Sequence, residues 1–245
     1  MINDTWIANT INETLVRENE EERANHEPSG KLIASMLYMP LRVQLLKHLK
    51  VPGKPMEAYV LGKFKRGKDV EDWYVGQLDK AGVLLEKQKK VEYRGAIGFI
   101  DAVVNSDKMY FKQGVMPHEV KSVTNMKLKR IDQTKEVDYH YKLQGCFYGI
   151  ATERPYYAID IVSAEDLRPN VYVFETKELQ PDIDKIISDY DQAVKDWEEK
   201  HILPPFVANP NVKWTEKVEY LPFEPFWVEA SDTEVIAKLK ELKLI

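Results

Sequence analysis

The chain has 245 residues, 44% hydrophobic and 31% charged, with a formal net charge of −5. That is enough apolar mass for one sizeable core with appendages. No apolar run approaches the roughly 20 residues that a membrane-spanning helix needs. The first residues also lack the basic, apolar and small-residue order of a secretion signal. One cysteine, Cys146, excludes an intrachain disulfide and a multi-cysteine metal or iron–sulfur site, and a reducing cytoplasm is the expected setting. Charge is stored unevenly: residues 31–94 carry 14 basic against 7 acidic side chains, and residues 165–245 carry 10 against 18. A local positive field suits a phosphate-bearing partner whatever the global sum.

Residues 1–30 are a polar arm, read as a polar helix or as partly disordered chain. Ser29 is placed to cap a helix over 30–49, where Leu32, Ile33, Met36, Leu37, Leu41, Leu45 and Leu46 recur at helical spacing. Pro40 lies inside that pattern and should kink or split it. After a turn at 51–55, a second helix spans 56–81 and stops at Gly82. It carries Lys65, Arg66 and Lys68 and, one turn after Gly67, Glu71. A solvated face with local ion pairs is the plain reading of that stretch.

Strand-like segments follow at 84–93, 95–104, 108–111 and 118–123, an antiparallel meander with a turn at Asn105, Ser106 and Asp107. The basic stretch 125–135, with Lys127, Lys129 and Arg130, is poorly patterned and reads as a loop. A helix over 136–152 presents His140, Gln144 and Tyr148 at i, i+4 and i+8, one face of one helix. Two more strands cover 156–162 and 171–175. An amphipathic acidic helix covers 181–201, with Ile183, Ile186, Ile187, Tyr190, Val194 and Trp197 as its apolar stripe. Residues 203–227 are dense in Pro and aromatics, and a short helix over 232–242 closes the chain. The expected division is an arm at 1–30, a core at 31–202, and a tail at 203–245 packed on that core.

The charged residues in the middle are a poor way to build a core. In a strand, side chains at i and i+2 share a face, so Glu119 and Lys121 project together, and Asp101 meets them if the two strands pair. Buried charge is costly unless paired or metal-bound. Two carboxylates and an ammonium at one point can hold a divalent cation beside a phosphate; an ion pair across neighbouring strands is the bland alternative. His118 points to the opposite face and is not counted as a ligand. Cys146 reads as a small core residue rather than a nucleophile.

In this order and on these elements, the residues resemble the RecB-like branch of the PD-(D/E)XK nuclease superfamily. Gly67 with Glu71 stands for the helical Gly-x-x-x-(His/Glu) pair, and Asp101 follows the Gly-containing strand. Glu119-Val120-Lys121 forms the (Asp/Glu)-x-Lys tripeptide, and Gln144 to Tyr148 the Gln-x-x-x-Tyr helix. The match runs over residues 31–173. It implies an α/β fold: a central mixed sheet flanked by helices, a restriction-endonuclease-like core with helical N- and C-terminal extensions. It also implies hydrolysis of DNA phosphodiester bonds with Mg²⁺ or Mn²⁺.

By this resemblance Asp101, Glu119, Lys121, Gln144 and Tyr148 are the catalytic set. Glu71, Asp101, Glu119 and the Val120 carbonyl are the metal ligands. Lys65, Arg66, Lys68, Lys127, Lys129, Arg130 and His140 are candidates for contact with DNA. An exonuclease of recombination, repair or phage DNA processing is favoured. The alternatives are a structure-selective endonuclease for flaps or junctions, and a non-enzymatic nucleic-acid-binding subunit that keeps the fold. A ring-shaped homo-oligomer and a single-strand annealing or other recombination protein are the partners implied besides DNA; no membrane is. Iron–sulfur members of the branch hold a cluster on one cysteine before the core and three after it. This chain lacks those cysteines, so no cluster is expected, and packing of the 213–227 tail on the 31–49 segment would replace it.

Overall fold

A computed structural model describes residues 6–25, 29–108 and 114–245. Five strands make one sheet in the order β1 (Leu84–Tyr93), β2 (Ala96–Asn105), β3 (Val115–Val123), β4 (Tyr156–Ser163) and β5 (Pro169–Glu175). All neighbours are antiparallel except β3 and β4, which run parallel. Parallel neighbours need a crossover. Here it is supplied by α4 (Asn125–Thr134) and α5 (Tyr139–Ala151). The sheet is mixed, as the expected fold class requires.

Helices cover both faces. On one side α3 (Ala58–Lys80) packs Val70, Tyr74 and Val75 against Ala102, Val104, Val120 and Val162. On the other, α4, α5 and α6 (Gln180–Lys200) bury Leu128, Leu143, Phe147, Ile183 and Ile187 with Ile100, Ile159 and Ile161. Strand alternation sets this division, because odd and even residues of β3 and β4 serve opposite layers.

A separate core joins the C-terminal segment to the front of the chain. Val43, Leu45 and Leu46 of α2 (Leu41–His48) meet Trp197 of α6, and Leu221, Phe223, Trp227, Val235 and Leu239 close over them. Arg42 is 5% exposed there, donating to the carbonyls of Trp227, Pro204 and Ala230 at 3.3, 3.3 and 2.6 Å. The short helix α7 (Pro225–Glu229) leads to α8 (Asp232–Glu241), whose N-terminus is closed by a Ser231/Glu234 capping box. α1 (Trp6–Asn25) lies along α3, so the helical alternative for the N-terminal arm is the one adopted over those residues.

Several elements differ from expectation. The single helix over 30–49 does not form: the pattern is split, as Pro40 allowed, into a 3-10 turn at Ala34–Met36 and α2, with Pro40 at the N-cap of the latter. Ile33 is extended instead and bridges Ile97, spending on the sheet a residue that the periodicity assigned to a helix. Residues 125–135 are not a loop but α4. Thr124 caps it by accepting from the Lys127 N–H, Leu128 and Ile131 supply an apolar face at i and i+3, and Lys135 ends it in the left-handed region. Three lysines and an arginine had hidden so narrow an apolar face. The helix read over 136–152 begins at Tyr139, one turn late. The strand expected at 108–111 falls mostly outside the described residues, where Ser106–Lys108 make a 3-10 turn, and β3 starts three residues ahead of its expected position.

Candidate active site

The site sits where the sheet forks. β2 pairs with β3 only through Ala102–Asn105; beyond that point β3 pairs with β4 alone and β2 with β1 alone. Asp101 is the first β2 residue past the fork. Its Oδ2 accepts the Val120 N–H at 2.8 Å, taking the place of the ladder partner that the splayed strand no longer offers. β2 also turns over here. Ile100 packs in the core under α5, whereas Ala102 packs under α3. Opposite Asp101, Gln88 of β1 holds a left-handed backbone at φ 49°, which a non-glycine residue adopts at a cost.

Glu119 and Lys121 project on the α5 face and form an ion pair, with Glu119 1% exposed and the Lys121 side chain 23% exposed. Lys121 Nζ also donates to Gln144 Oε1 at 3.2 Å, and Gln144 Nε2 donates to the Tyr148 hydroxyl at 2.9 Å. One turn of α5 therefore lines up the amide and the phenol behind the ammonium. Tyr148 lies beside Glu119 in turn. The ring of Tyr148 is held by close packing: a Cβ on Gly98 would meet Tyr148 Cε1 at 2.6 Å and Phe147 Cε1 at 3.1 Å. Glu71 reaches the fork from α3. Gln88 Nε2 donates to Glu71 Oε1 at 2.7 Å and to Asp101 Oδ1 at 3.3 Å, so one amide links the two acids. At Gly67 an added Cβ would meet only Ser122 Oγ, at an ordinary 3.5 Å, so packing does not demand glycine there.

The electrostatics are those of a cluster short of positive charge. Burial pushes the Asp101 carboxyl well above the usual range, and Glu119 and Glu71 push it further; Lys121 and the Val120 N–H oppose them. Burial raises Glu119 as well, against the pull of Lys121. Burial lowers the Lys121 ammonium, but Glu119 and Asp101 outweigh it and hold it upward. Glu119 Oε2 is buried with no hydrogen-bond partner. A buried carboxylate oxygen left open among three acids suits a hard cation, since Mg²⁺ and Mn²⁺ take oxygen donors. As arranged, no group of three His, Cys, Asp or Glu among the described residues could hold a metal ion; Lys121 lies on Glu119, and the Gln88 amide lies between Glu71 and Asp101. The donor chemistry fits a divalent cation, and those two side chains are the ones that would have to give way.

The structure brings together five of the residues singled out in the sequence, namely Asp101, Glu119, Lys121, Gln144 and Tyr148, with Glu71 at the margin. At Val120 the amide N–H, rather than the carbonyl, is the group engaged at Asp101. Of the cationic candidates, Lys65, Arg66, Lys68, Lys129 and Arg130 are exposed. Lys68 is paired with Glu71 at 2.9 Å and Asp72 at 3.2 Å. Lys127 and Arg130 are both committed to Asp138, at 2.6 and 3.2 Å. His140 is half-buried between Tyr38 and Tyr141, and burial pulls its pKa down to about 4. It is neutral at pH 7, which removes the charge that a backbone phosphate contact would use. Cys146 is buried and its Sγ–H donates to the Thr176 carbonyl at 3.1 Å; burial pushes the thiol up to about 12, an inert position.

Sequence reading missed Gln88, one polar residue in a lysine-rich strand whose role appears only when Asp101 lies opposite. It also missed Asp160, fully buried on β4 and bonded at 2.8 Å to His118 Nδ1 behind the site. His118 does face away from Glu119, and an acid in the middle of YYAIDIVS was the available signal for its partner.

The mixed sheet with flanking helices has counterparts among solved structures. SSO0001 matches with a TM-score of 0.51 at 16% identity, over 92% of this chain and 98% of that one. An alkaline exonuclease from Laribacter hongkongensis matches at 0.49 and 14%, over 69% and 89%. A phage related exonuclease from Haemophilus somnus matches at 0.40 and 15%, over 68% and 96%. At such identities the likeness is one of fold. No family model matches the chain, and no curated protein does.

Proposed function

We propose that this chain is a divalent-metal-dependent nuclease acting on DNA, and within that class an exonuclease. The reading is carried by one observation: Asp101, Glu119 and Lys121 converge at a sheet fork, and one oxygen of the buried Glu119 is left unpartnered. Acids gathered in a buried spot around one ammonium cost stability, and such clusters are found where a charged ligand is held. Glu71, Asp101 and Glu119 would hold Mg²⁺ or Mn²⁺, with the Val120 carbonyl available beside them. When bound, the cation supplies Lewis acidity to the phosphate and to the attacking water.

The chain's own residues do the rest. Lys121 carries a positive charge to the phosphate as negative charge builds in the transition state. Gln144 fixes the Lys121 ammonium through its carbonyl and, through its amide, binds Tyr148. Tyr148 braces Gln144 and Glu119 from the packed side. Lys65, Arg66 and Lys129 are exposed cations available to the DNA backbone. Residues 31–202 would form the nuclease core, and 203–245 would clasp α2 and α6 in place of an iron–sulfur staple, giving a protein without a cluster's visible absorbance. No helix among the described residues is long and apolar enough to cross a membrane. A role in recombination, repair or phage DNA processing, as a ring-shaped oligomer working with an annealing protein, completes the proposal.

The test is a digestion time course with Mg²⁺ or Mn²⁺ on end-labelled linear duplex, single strand and covalently closed circle. Release of label from linear DNA with the circle spared supports the exonuclease; nicking of the circle moves the assignment to an endonuclease. If Lys121→Ala and Asp101→Ala each cleave like the parent, the site is misassigned.

A further inference from the structure

Four partly buried rings run from the C-terminal segment to the edge of the site. Trp214, in a 3-10 turn at Lys213–Glu216, meets Tyr38 at 5.6 Å between ring centroids. Tyr38, just ahead of α2, meets His140 in the first turn of α5 at 5.1 Å, and His140 meets Tyr141 at 4.2 Å. The Lys127 and Lys121 ammonium groups lie 4.8 and 5.5 Å from the centre of the Tyr141 ring. The rings come from three separate parts of the chain and end on the lysine that touches Glu119.

We infer that Trp214, Tyr38, His140 and Tyr141 form a stacking track for the bases of a single-stranded nucleic acid leading into the site. Core aromatics such as Phe147 and Tyr157 are 0–1% exposed, whereas these four are only partly buried: Tyr38, Tyr141 and Trp214 pack at the margins of the two cores, and His140 lies between Tyr38 and Tyr141. Sequence-tolerant single-strand binding combines aromatic faces for bases with cations for the backbone. Rings lie outward and two ammonium groups lie at the inner end, Lys127 and Lys121, each also paired with an acid, Asp138 and Glu119. His140 is a neutral ring and so serves as a face rather than a charge. The track has room for about two or three bases, the number that a small aromatic platform holds. A blunt duplex keeps its bases stacked on each other and has none to offer.

The inference rests on the nuclease reading for the direction of the strand, not for its binding. The experiment is therefore a binding measurement: fluorescence anisotropy of a short labelled oligothymidylate with EDTA present, across a salt series. Trp214→Ala and His140→Ala are each expected to weaken binding roughly five- to a hundredfold, with the salt slope unchanged, while Trp214→Phe keeps most of the affinity. Blunt duplex should compete poorly. Thermal melting accompanies each variant. Trp214 also touches the second core, so the His140 variant decides if Trp214→Ala unfolds. Parent-like binding by the folded variants, or a loss seen only in the salt slope, overturns the track. Failure of cleavage altogether would remove the nuclease reading and leave this measurement intact. Loss of cleavage in Asp101→Asn with parent-like oligonucleotide binding by His140→Ala would do the reverse.

Discussion

Replacing Asp101 separates what the site needs from what the fold needs. The carboxylate accepts from the Val120 N–H at 2.8 Å and, more weakly, from the Gln88 amide at 3.3 Å; Lys121 favours its charge, but burial, Glu119 and Glu71 oppose it and prevail. Asp101→Asn keeps a carbonyl oxygen for that N–H and removes a charge that two neighbouring acids repel. Its folded state should be as stable as the parent's or more so, by up to about 1 kcal/mol. Asp101→Ala relieves the same repulsion but leaves a buried N–H unpaired, which costs about 1–3 kcal/mol. At about 2–4 °C per kcal/mol for a chain of this size, the two variants should melt several degrees apart, asparagine above alanine. Both should lose cleavage. The assay is metal-free thermal unfolding by circular dichroism beside the linear-duplex digestion. If Asp101→Asn melts as low as Asp101→Ala, the carboxylate was not strained by its neighbours and the electrostatic account of the fork is wrong.

Gly98→Ala pushes a methyl into the Tyr148 ring at 2.6 Å and Ala34 Cβ at 3.0 Å. Stability should fall by about 1–3 kcal/mol, and cleavage by roughly ten- to a hundredfold as Gln144 and Lys121 follow the ring; a denaturant titration and initial rates check both. Arg42→Leu strips the donor from three carbonyls under the C-terminal segment, with an expected loss of about 3–5 kcal/mol, and a loss below about 1 kcal/mol would contradict it. His140 should titrate near 4 by NMR rather than near 6.5. Because its folded pKa is depressed, the unfolded chain binds that proton more readily. Stability is therefore lost as pH falls from about 6.5 towards 4, by on the order of 3 kcal/mol; His140→Asn should flatten that part of the curve.

What could be read in the sequence follows from how locally each feature is determined. The strands over 84–93 and 156–162 and the helix over 181–201 carry their own period, so their places were legible within a residue or two. α4 was not, because its apolar face is only Leu128 and Ile131 set among four basic side chains, and the Thr124 cap looks like any threonine until the helix forms. The 30–49 segment misled for the opposite reason: its leucines do recur at helical spacing, but Ile33 is taken by the sheet edge at Ile97. Basic residues looked alike in the sequence and are not alike in space, where Lys127 and Arg130 share Asp138 while Lys129 stands free in solvent.

The sequence by itself determined which donors exist, and put Glu119 and Lys121 on one side of one strand, since a two-residue repeat is a local property of extended chain. Only the tertiary structure decided that the sheet opens at Asp101, that Gln88 turns to hold it, and that rings from three distant segments touch in a series ending at Tyr141 beside Lys121. Those outcomes depend on which backbones run side by side and where they part. Pairing between residues far apart in the chain is settled by packing of the whole, not by the neighbours of any one residue.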